Sequence, residues 1–264
     1  MRSKAFAALV LSLVVWGAAA AAAVASAPAV PGEPAAVLPN LNKLTDAEKA
    51  AGWKLLFDGR TTEGWRNFRK PTISSGWQVV GGALCRVDKT AGDIITTGTY
   101  DNFVLELEYK VPPHANSGIM YRVSENEKRA PFSGVEFQIL ANTDPKGDPQ
   151  KCGWAYALYQ PPLDPKTGKP LDTTKPLGQW NHVKLLCDGP HIEHWMNGVK
   201  YCQYEIGSAD WKARVAKSKF AKWPTFATYA CGHIALQGDH GDVCYASIKL
   251  LPLPRRTAAG SAGK

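Results

Sequence analysis

A glutamate and a glutamine alternate with apolar residues over positions 134–140, and this short stretch gives the first indication of chemistry in the chain. Successive side chains of a β-strand point to opposite faces of the sheet. Glu136 and Gln138 therefore share one face, while the other face carries Val135, Phe137 and Ile139. The pattern predicts a strand with one packed face and one polar face, which is either a solvated surface or part of a binding site.

Four further polar residues are expected near this pair. Arg122 lies in the stretch 116–123, where apolar residues take the alternate positions, so it should face the same way as Glu136. Gln237 also alternates with apolar neighbours, and Asp239 and His240 follow where that strand ends. A carboxylate, an imidazole and a guanidinium on one face can act as base, acid and stabiliser of developing negative charge. Histidine suits such a role because it changes charge near neutral pH.

A simpler explanation exists for the last two of these residues. Asp239 and His240 lie between Gly238 and Gly241, so they could do no more than cap a tight turn. Polar residues on the sheet could likewise be only hydrated.

The elements that must hold these residues are many short strands and few helices. Thr45 and Glu48 form a capping-box pattern that predicts a short helix ending near Gly52, and a second helix is expected within 208–219. No alternation of strands and helices typical of parallel sheets occurs, so the fold class is all-β, an antiparallel β-sandwich with short peripheral helices. Strands are predicted at 53–59, 77–80, 83–87, 92–96, 102–111, 116–123, 134–140, 180–187, 192–196, 199–206, within 232–241 and at 243–250.

Residues 142–178 are rich in proline, glycine, lysine and aspartate and predict a long surface loop. The loop carries Trp154, Tyr156 and Tyr159. We expect these rings to pack the loop onto the domain, with stacking against a sugar ring as the alternative.

The two ends of the 264-residue chain differ in composition from its middle. Arg2 and Lys4 precede an apolar and then alanine-rich run, which predicts a secretory signal peptide over 1–27, with an uncleaved anchor as the alternative. A linker rich in proline and alanine is expected over 28–44, the domain over 45–252 and a flexible tail over 253–264. No later segment is long and apolar enough to span a membrane.

The net charge of +8 is modest, and part of it lies in the two termini. No basic stripe or nucleic-acid-binding motif appears, which argues against a nucleic-acid partner. No cysteine or histidine cluster has the spacing of metal ligands, so no metal site is predicted.

Six cysteines permit disulfides in an exported chain, with 15 connectivities if all of them pair. Asn197-Gly198 predicts a two-residue hairpin, and counting outward from it places Cys202 opposite Glu193. Cys187 then lies elsewhere, near His191, so this register argues against a Cys187–Cys202 bridge.

Seven short motifs follow one another along the chain, at 53–59, 64–65, 116–119, 134–138, 178–181, 192–198 and 232–241. In this order and approximate spacing they resemble the 3-keto-disaccharide hydrolase domain family, over about residues 50–252. The resemblance implies a concanavalin-A-like jelly roll and an exported bacterial protein, periplasmic or secreted. One departure concerns the last strand, where Ala246 and Ser247 stand in place of the arginine and asparagine usual in the family.

Some members of that family cleave 3-keto-glycosides, and the resemblance implies this activity here. The C3 carbonyl of such a sugar acidifies the proton on C2, so a base can form an enolate. The glycosidic oxygen at C1 then leaves by elimination, and water adds to the product. In this scheme Glu136 or His240 is the base or acid and Asp239 orients His240. Arg122 holds the enolate, while Gln138 and Gln237 bind hydroxyls.

His194 is a further candidate for substrate binding. It alternates with Glu193 on one strand, so only one of the two side chains can face the site. The family resemblance favours His194.

Other functions remain open at this stage. A non-catalytic sugar-binding module is the main alternative, since this fold does not determine function. A conventional glycosidase with a carboxylate pair is the third, with Asp239 as the partner of Glu136. No cofactor is predicted, although a divalent cation at Glu136 or Asp239 could replace Arg122 as the electrophile. The expected partner is a carbohydrate substrate, and an oxidoreductase that makes the keto sugar is its expected supplier.

Overall fold

Two antiparallel β-sheets face each other across one apolar core in the computed structural model, which describes residues 41–141 and 152–254. The predicted signal peptide, most of the linker and nearly all of the tail lie outside the described residues. No helix within the described residues has the length and apolar character needed to cross a membrane.

The described residues form thirteen strands, two α-helices and two short 3₁₀ helices. The helices are α1 (Asp46–Ala51), α2 (Ala209–Ala216) and the 3₁₀ helices Ala130–Phe132 and Lys219–Lys222. The strands are β1 (Lys54–Leu55), β2 (Trp65–Asn67), β3 (Trp77–Val80), β4 (Ala83–Arg86), β5 (Ile94–Thr96), β6 (Phe103–Lys110), β7 (Asn116–Val123), β8 (Val135–Leu140), β9 (Asn181–Asp188), β10 (His191–Met196), β11 (Val199–Glu205), β12 (His233–Leu236) and β13 (Val243–Pro252).

The larger sheet has the order β11-β10-β9-β6-β13-β4-β3, with β1 also paired to β13, and the smaller has the order β2-β5-β12-β7-β8. Alternation decides which residues enter the core: along β6, Phe103, Leu105, Leu107 and Tyr109 are buried while the residues between them are only partly covered. The predicted antiparallel sandwich is therefore confirmed. The capping box of α1 is also confirmed, because the Thr45 side chain accepts from the Glu48 backbone and the Glu48 side chain accepts from the Thr45 backbone.

A β-bulge in β7 overturns the expected position of Arg122. Two residues of β7, Tyr121 and Arg122, stand opposite the single Ile234 of β12, and Arg122 has a left-handed φ of 58°. The extra residue reverses the alternation, so Val123 packs on the same face as Met120. The Arg122 guanidinium instead donates to the carbonyl of Gly189, in the β9–β10 turn of the other sheet.

A second bulge, between His194 and Trp195, shifts the register of the β10–β11 hairpin. The predicted Asn197-Gly198 turn is present, with Met196 opposite Val199, but Cys202 faces His194 and not Glu193. Cys187 faces Ile192 on the other side of β10, and both thiols are unpaired. The argument against a Cys187–Cys202 bridge is thus confirmed, although its register was wrong by one residue.

A disulfide between Cys85 and Cys244 joins β4 to β13 on the outer face of the larger sheet. The two residues that depart from the family pattern lie on the same strand. Ala246 is buried in a small cluster beside this disulfide, and Ser247 exchanges hydrogen bonds with Asn42 at the end of the expected linker.

Replacing both Cys85 and Cys244 with serine should lower the free energy of unfolding by about 2–5 kcal/mol, because the bridge constrains a long loop of the unfolded chain. The two cysteines are 159 residues apart. Urea unfolding of the oxidised proteins measures the difference, with Cys231→Ser, at an exposed thiol, as the control. The prediction would be contradicted if the double variant unfolded at the same urea concentration as the wild type. It would also be contradicted if a reductant left the urea midpoint of the wild type unchanged.

Candidate active site

The outer face of the smaller sheet forms the floor of a cavity of roughly 360 Å³. Five of the seven residues proposed from the sequence line it. They are Glu136, Gln138, Gln237, Asp239 and His240.

Glu136 is the most deeply placed carboxyl group of the cavity. It projects from β8 opposite Met120, only 8% exposed, and its carboxyl group lies over Gly118 of the neighbouring strand. A Cβ atom added at Gly118 would lie 2.0 Å from Oε1 of Glu136. The glycine is therefore required for the space that it leaves to the carboxyl group.

Burial has a large effect on the acidity of this group. Loss of water around Glu136 raises its pKa to about 8, with Asp93 and Asp239 adding to the rise and the Lys219 ammonium opposing it. A carboxyl group with this pKa exchanges protons close to neutral pH, which is the property that general acid–base chemistry requires.

Asp93 is a second carboxyl group in the cavity, and no pattern in the sequence indicated it. It precedes β5, and one of its oxygens accepts a 3.1 Å hydrogen bond from the Gly238 backbone. Burial raises its pKa to about 6, and the hydrogen bond from Gly238 opposes that rise. The cavity thus holds two carboxyl groups of different acidity, with Glu136 the weaker acid.

Asp239 lies between two basic side chains at the rim. Its Oδ1 lies 3.6 Å from Nε2 of His240, and its Oδ2 accepts from the Arg129 guanidinium at 3.3 Å. The His240 side chain is about half exposed (51%), so this group sits at the entrance and not on the floor.

The walls come from loops that pattern analysis did not connect with Glu136. Tyr156 donates its backbone N–H to the Glu136 carbonyl at 3.0 Å, and its hydroxyl lies 3.1 Å from Nζ of Lys219. Phe132 and Trp223 add an aromatic pair whose ring centroids are 4.6 Å apart. Trp154 and Tyr159 are buried, as expected for rings that pack the loop, whereas Tyr156 lines the cavity.

The two glutamines differ in how their amides are satisfied. Gln138 donates to the side-chain oxygen of Asn116 at 3.1 Å. The buried Oε1 of Gln237 has no hydrogen-bond partner among the described residues. A buried acceptor without a donor is costly, so a hydroxyl donor from a ligand would stabilise this position.

His194 and Arg122 do not join this group. His194 is fully buried between the sheets, with Nε2 3.2 Å from the Tyr121 hydroxyl and 3.3 Å from that of Tyr204. Burial lowers its pKa to about 3, which keeps the ring neutral. Glu193 and His194 do lie on opposite faces of β10, as predicted. His194 faces the core between the sheets, and neither residue lines the cavity.

Over residues 41–141 and 152–254, no group of three or more His, Cys, Asp or Glu side chains is arranged to hold a metal ion.

A recessed cavity in which carboxyl, amide and aromatic groups converge is typical of a small-molecule binding or active site. The model of the 3-keto-α-glucoside-1,2-lyase-like domain matches residues 52–251, and the chain belongs to this family. Ala246 and Ser247, which depart from the family pattern, do not line the cavity.

Relatives agree with this placement. The 3-keto-disaccharide hydrolase of Bacteroides thetaiotaomicron is 29% identical over an alignment of 239 residues, and the match covers 79% of this chain and 79% of the relative. A crystal structure from Parabacteroides distasonis, provisionally described as a glycosyl hydrolase, superposes with a TM-score of 0.71 at 30% identity over 81% of this chain and all of the other. A second from the same organism, described in the same way, gives 0.54 at 27% identity, over 76% of this chain and 99% of its own.

The raised pKa of Glu136 predicts a pH-dependent gain in stability for Glu136→Gln. Below about pH 4.5 the carboxyl group is protonated in both states. Between that pH and about 8 the carboxyl group ionises only in the unfolded chain. The free energy of unfolding of the wild type therefore falls by at most about 1.4 kcal/mol per pH unit. The advantage of the variant should therefore grow from pH 5 to 8 and then level off.

Urea unfolding at several pH values measures this difference. Glu63→Gln, at an exposed carboxylate, is the matched control and should give a flat difference. A Glu136→Gln difference that is equally flat would mean that Glu136 ionises normally in the folded protein.

Proposed function

We propose that this protein cleaves 3-keto-glycosides by elimination at C1 followed by hydration. One observation carries the proposal. The buried carboxyl group of Glu136 lies in a recessed cavity and has a pKa of about 8. Membership of the 3-keto-α-glucoside-1,2-lyase-like family supports the same substrate class.

The reaction needs a base, a positive charge and an acid. Glu136 takes the C2 proton, which the C3 carbonyl has acidified, and the electron pair moves onto the C3 oxygen as an enolate. When the enolate collapses, a C1–C2 double bond forms and the C1–O bond breaks, and the leaving oxygen receives a proton. Water then adds its hydroxyl to C1 and a proton returns to C2, so the net change is hydrolysis.

Lys219 is the group we assign to the enolate oxygen. Its ammonium charge acts on Glu136, and its Nζ is held 3.1 Å from the Tyr156 hydroxyl. It takes the role first expected of Arg122, whose guanidinium is committed to the Gly189 carbonyl. A fixed positive charge near the site of developing negative charge stabilises the transition state without reorganisation.

His240 with Asp239 is the pair we assign to the leaving oxygen. His240 lies at the rim, where its ring can give a proton to the leaving oxygen alone, and Oδ1 of Asp239 lies 3.6 Å from its Nε2. Gln237, whose Oε1 has no partner among the described residues, is assigned to a sugar hydroxyl, and so is Gln138 beside it.

A conventional glycosidase is the second candidate, because one specific observation favours it. Glu136 and Asp93 share the cavity, and with pKa values of about 8 and 6 they form a protonated acid beside a carboxylate at neutral pH. Such a pair is what acid-assisted glycoside hydrolysis uses.

We further propose that the protein is exported, to the periplasm or the medium. The Cys85–Cys244 disulfide supports this, because disulfides persist in oxidising compartments. Cell fractionation of an expressing bacterium tests it, and retention of the whole chain in the cytoplasm would contradict it.

Turnover in D₂O should distinguish the two enzymatic candidates. A 3-keto-α-glucoside should be cleaved with solvent deuterium at C2 of the released sugar, while its unoxidised parent should be inert. Cleavage of the parent, or release without label at C2, would support a conventional glycosidase. Binding without turnover of either sugar would leave a lectin.

The same assay tests the assigned roles. Glu136→Gln should lower kcat about 10²–10⁴-fold, the usual contribution of a general base. Wild-type kcat/KM should rise with pH and level off near pH 8, because the base must be unprotonated. Lys219→Ala should also slow the reaction, and a chelator should not. Loss of activity with the chelator instead would give the electrophilic role to a bound cation.

Gly118→Ala should reduce kcat by roughly 10²-fold, because the new methyl group displaces the Glu136 carboxyl group from its position. KM should change less, since Gln138 and Gln237 keep their backbone positions. The combined variant Gly118→Ala/Glu136→Gln should be no slower than Glu136→Gln alone. Full activity in Gly118→Ala would show that the position of the carboxyl group does not matter.

A further inference from the structure

A second and larger cavity, of roughly 680 Å³, adjoins the candidate active site. Lys219 lines both cavities, so the two meet at this residue. The walls of the larger cavity combine aromatic and aliphatic side chains with cations. The lining residues include Trp154, Leu158, Tyr159, Arg214, Lys217 and Lys219.

The charge of this second cavity is strongly positive. Only Arg214 among its lining residues has an ion-pair partner in the described part of the chain, Asp210 at 2.9 Å. Asp210 is also committed to the Tyr159 hydroxyl at 2.7 Å. No carboxylate lines the cavity, and the segment 209–222 holds five basic residues and one acidic residue. The charge of Lys217 is therefore left for a ligand of this cavity.

Helix stabilisation explains only part of this charge. Lys217 is the C-cap of α2 and Arg214 lies in its last turn, where cations interact favourably with the helix dipole. Lys219 opens the following 3₁₀ helix and gains nothing in this way. Its Nζ lies 4.1 Å from the centre of the Tyr156 ring, which places the ammonium at the boundary between the two cavities.

Because the two cavities meet at Lys219, the larger cavity can hold a part of the substrate that extends from the candidate active site. Tyr156 is fixed to β8 by its backbone hydrogen bond to Glu136, and its hydroxyl is within 3.1 Å of Lys219. A sugar held over Glu136 can extend past this pair through the substituent at C1 or through one of its hydroxyl oxygens. The part of the substrate beyond Lys219 then meets a cationic and partly aromatic surface.

We propose that this second cavity binds the leaving group of the substrate and selects one that carries a carboxylate or another anionic group. The proposal rests on the proposed function for its catalytic half, while the anion preference stands on the cavity itself. Lys217 is the specificity-determining residue, because Arg214 is paired with Asp210 and Lys219 belongs also to the candidate active site.

The test compares two substrates that differ only in charge. They are the 3-keto-α-glucosides of 3-hydroxyphenylacetate and of its amide, whose methylene group insulates the phenolic oxygen from the substituent. Wild-type kcat/KM should favour the carboxylate about fivefold at low salt, the size of one partly exposed ion pair, and less at high salt. Lys217→Ala should remove most of this preference. Lys212→Ala is the matched control, since Lys212 is exposed on α2 but does not line the cavity.

A binding measurement separates this inference from the proposed function. Calorimetry with the two unoxidised glucosides should show the same carboxylate preference and the same dependence on Lys217. Equal kcat/KM and equal affinity for the two compounds would overturn the inference, even if both keto sugars are cleaved. Equal losses in Lys212→Ala and Lys217→Ala would also overturn it, because the effect would then be that of net charge. Selective binding without turnover of either keto sugar would overturn the proposed function and keep the anion-binding cavity.

Discussion

The desolvation of one carboxyl group, that of Glu136, is the constraint on which the rest of the site depends. An ionised carboxylate is unstable away from water unless charges or hydrogen bonds compensate it. Gly118 leaves the space for this group, and the chain after β8 covers it by pairing backbone groups of Tyr156 and Trp154 with those of Glu136 and Gln138. A buried group with a pKa of about 8 is the result.

The charges and hydrogen bonds around the carboxyl groups of the cavity then give these groups different pKa values. Asp93 and Asp239 favour the protonated form of Glu136, while the ammonium of Lys219 favours the ionised form. Because Asp93 accepts a backbone hydrogen bond from Gly238, its pKa stays nearer to 6. One cavity therefore offers a proton acceptor, a proton donor and a positive charge at the same pH, which a solvated sheet face does not.

The paired strands of the sandwich form the floor of the cavity, and the connecting segments add polar side chains to its walls and rim. The floor of the cavity is fixed by strand pairing among β8, β7 and β12, with an apolar core behind it. Lys219, Tyr156 and Arg129 come from connecting segments, so they can differ in other proteins without disturbing the fold. Lys219 lines both the candidate active site and the larger basic cavity.

Alternation along each strand was enough, from the sequence alone, to predict the antiparallel sandwich and to place Glu136 and Gln138 on a common face. The capping box at Thr45 and the Asn197-Gly198 turn were equally local and equally predictable. Arg122 was misplaced because a bulge reverses the alternation, and the bulge arises from pairing with a strand about 110 residues later. For His194, alternation gives two faces but does not say which one meets the core. Asp93 and Lys219 could be found only in the tertiary structure, since strand order and loop packing bring them to Glu136 from distant parts of the chain.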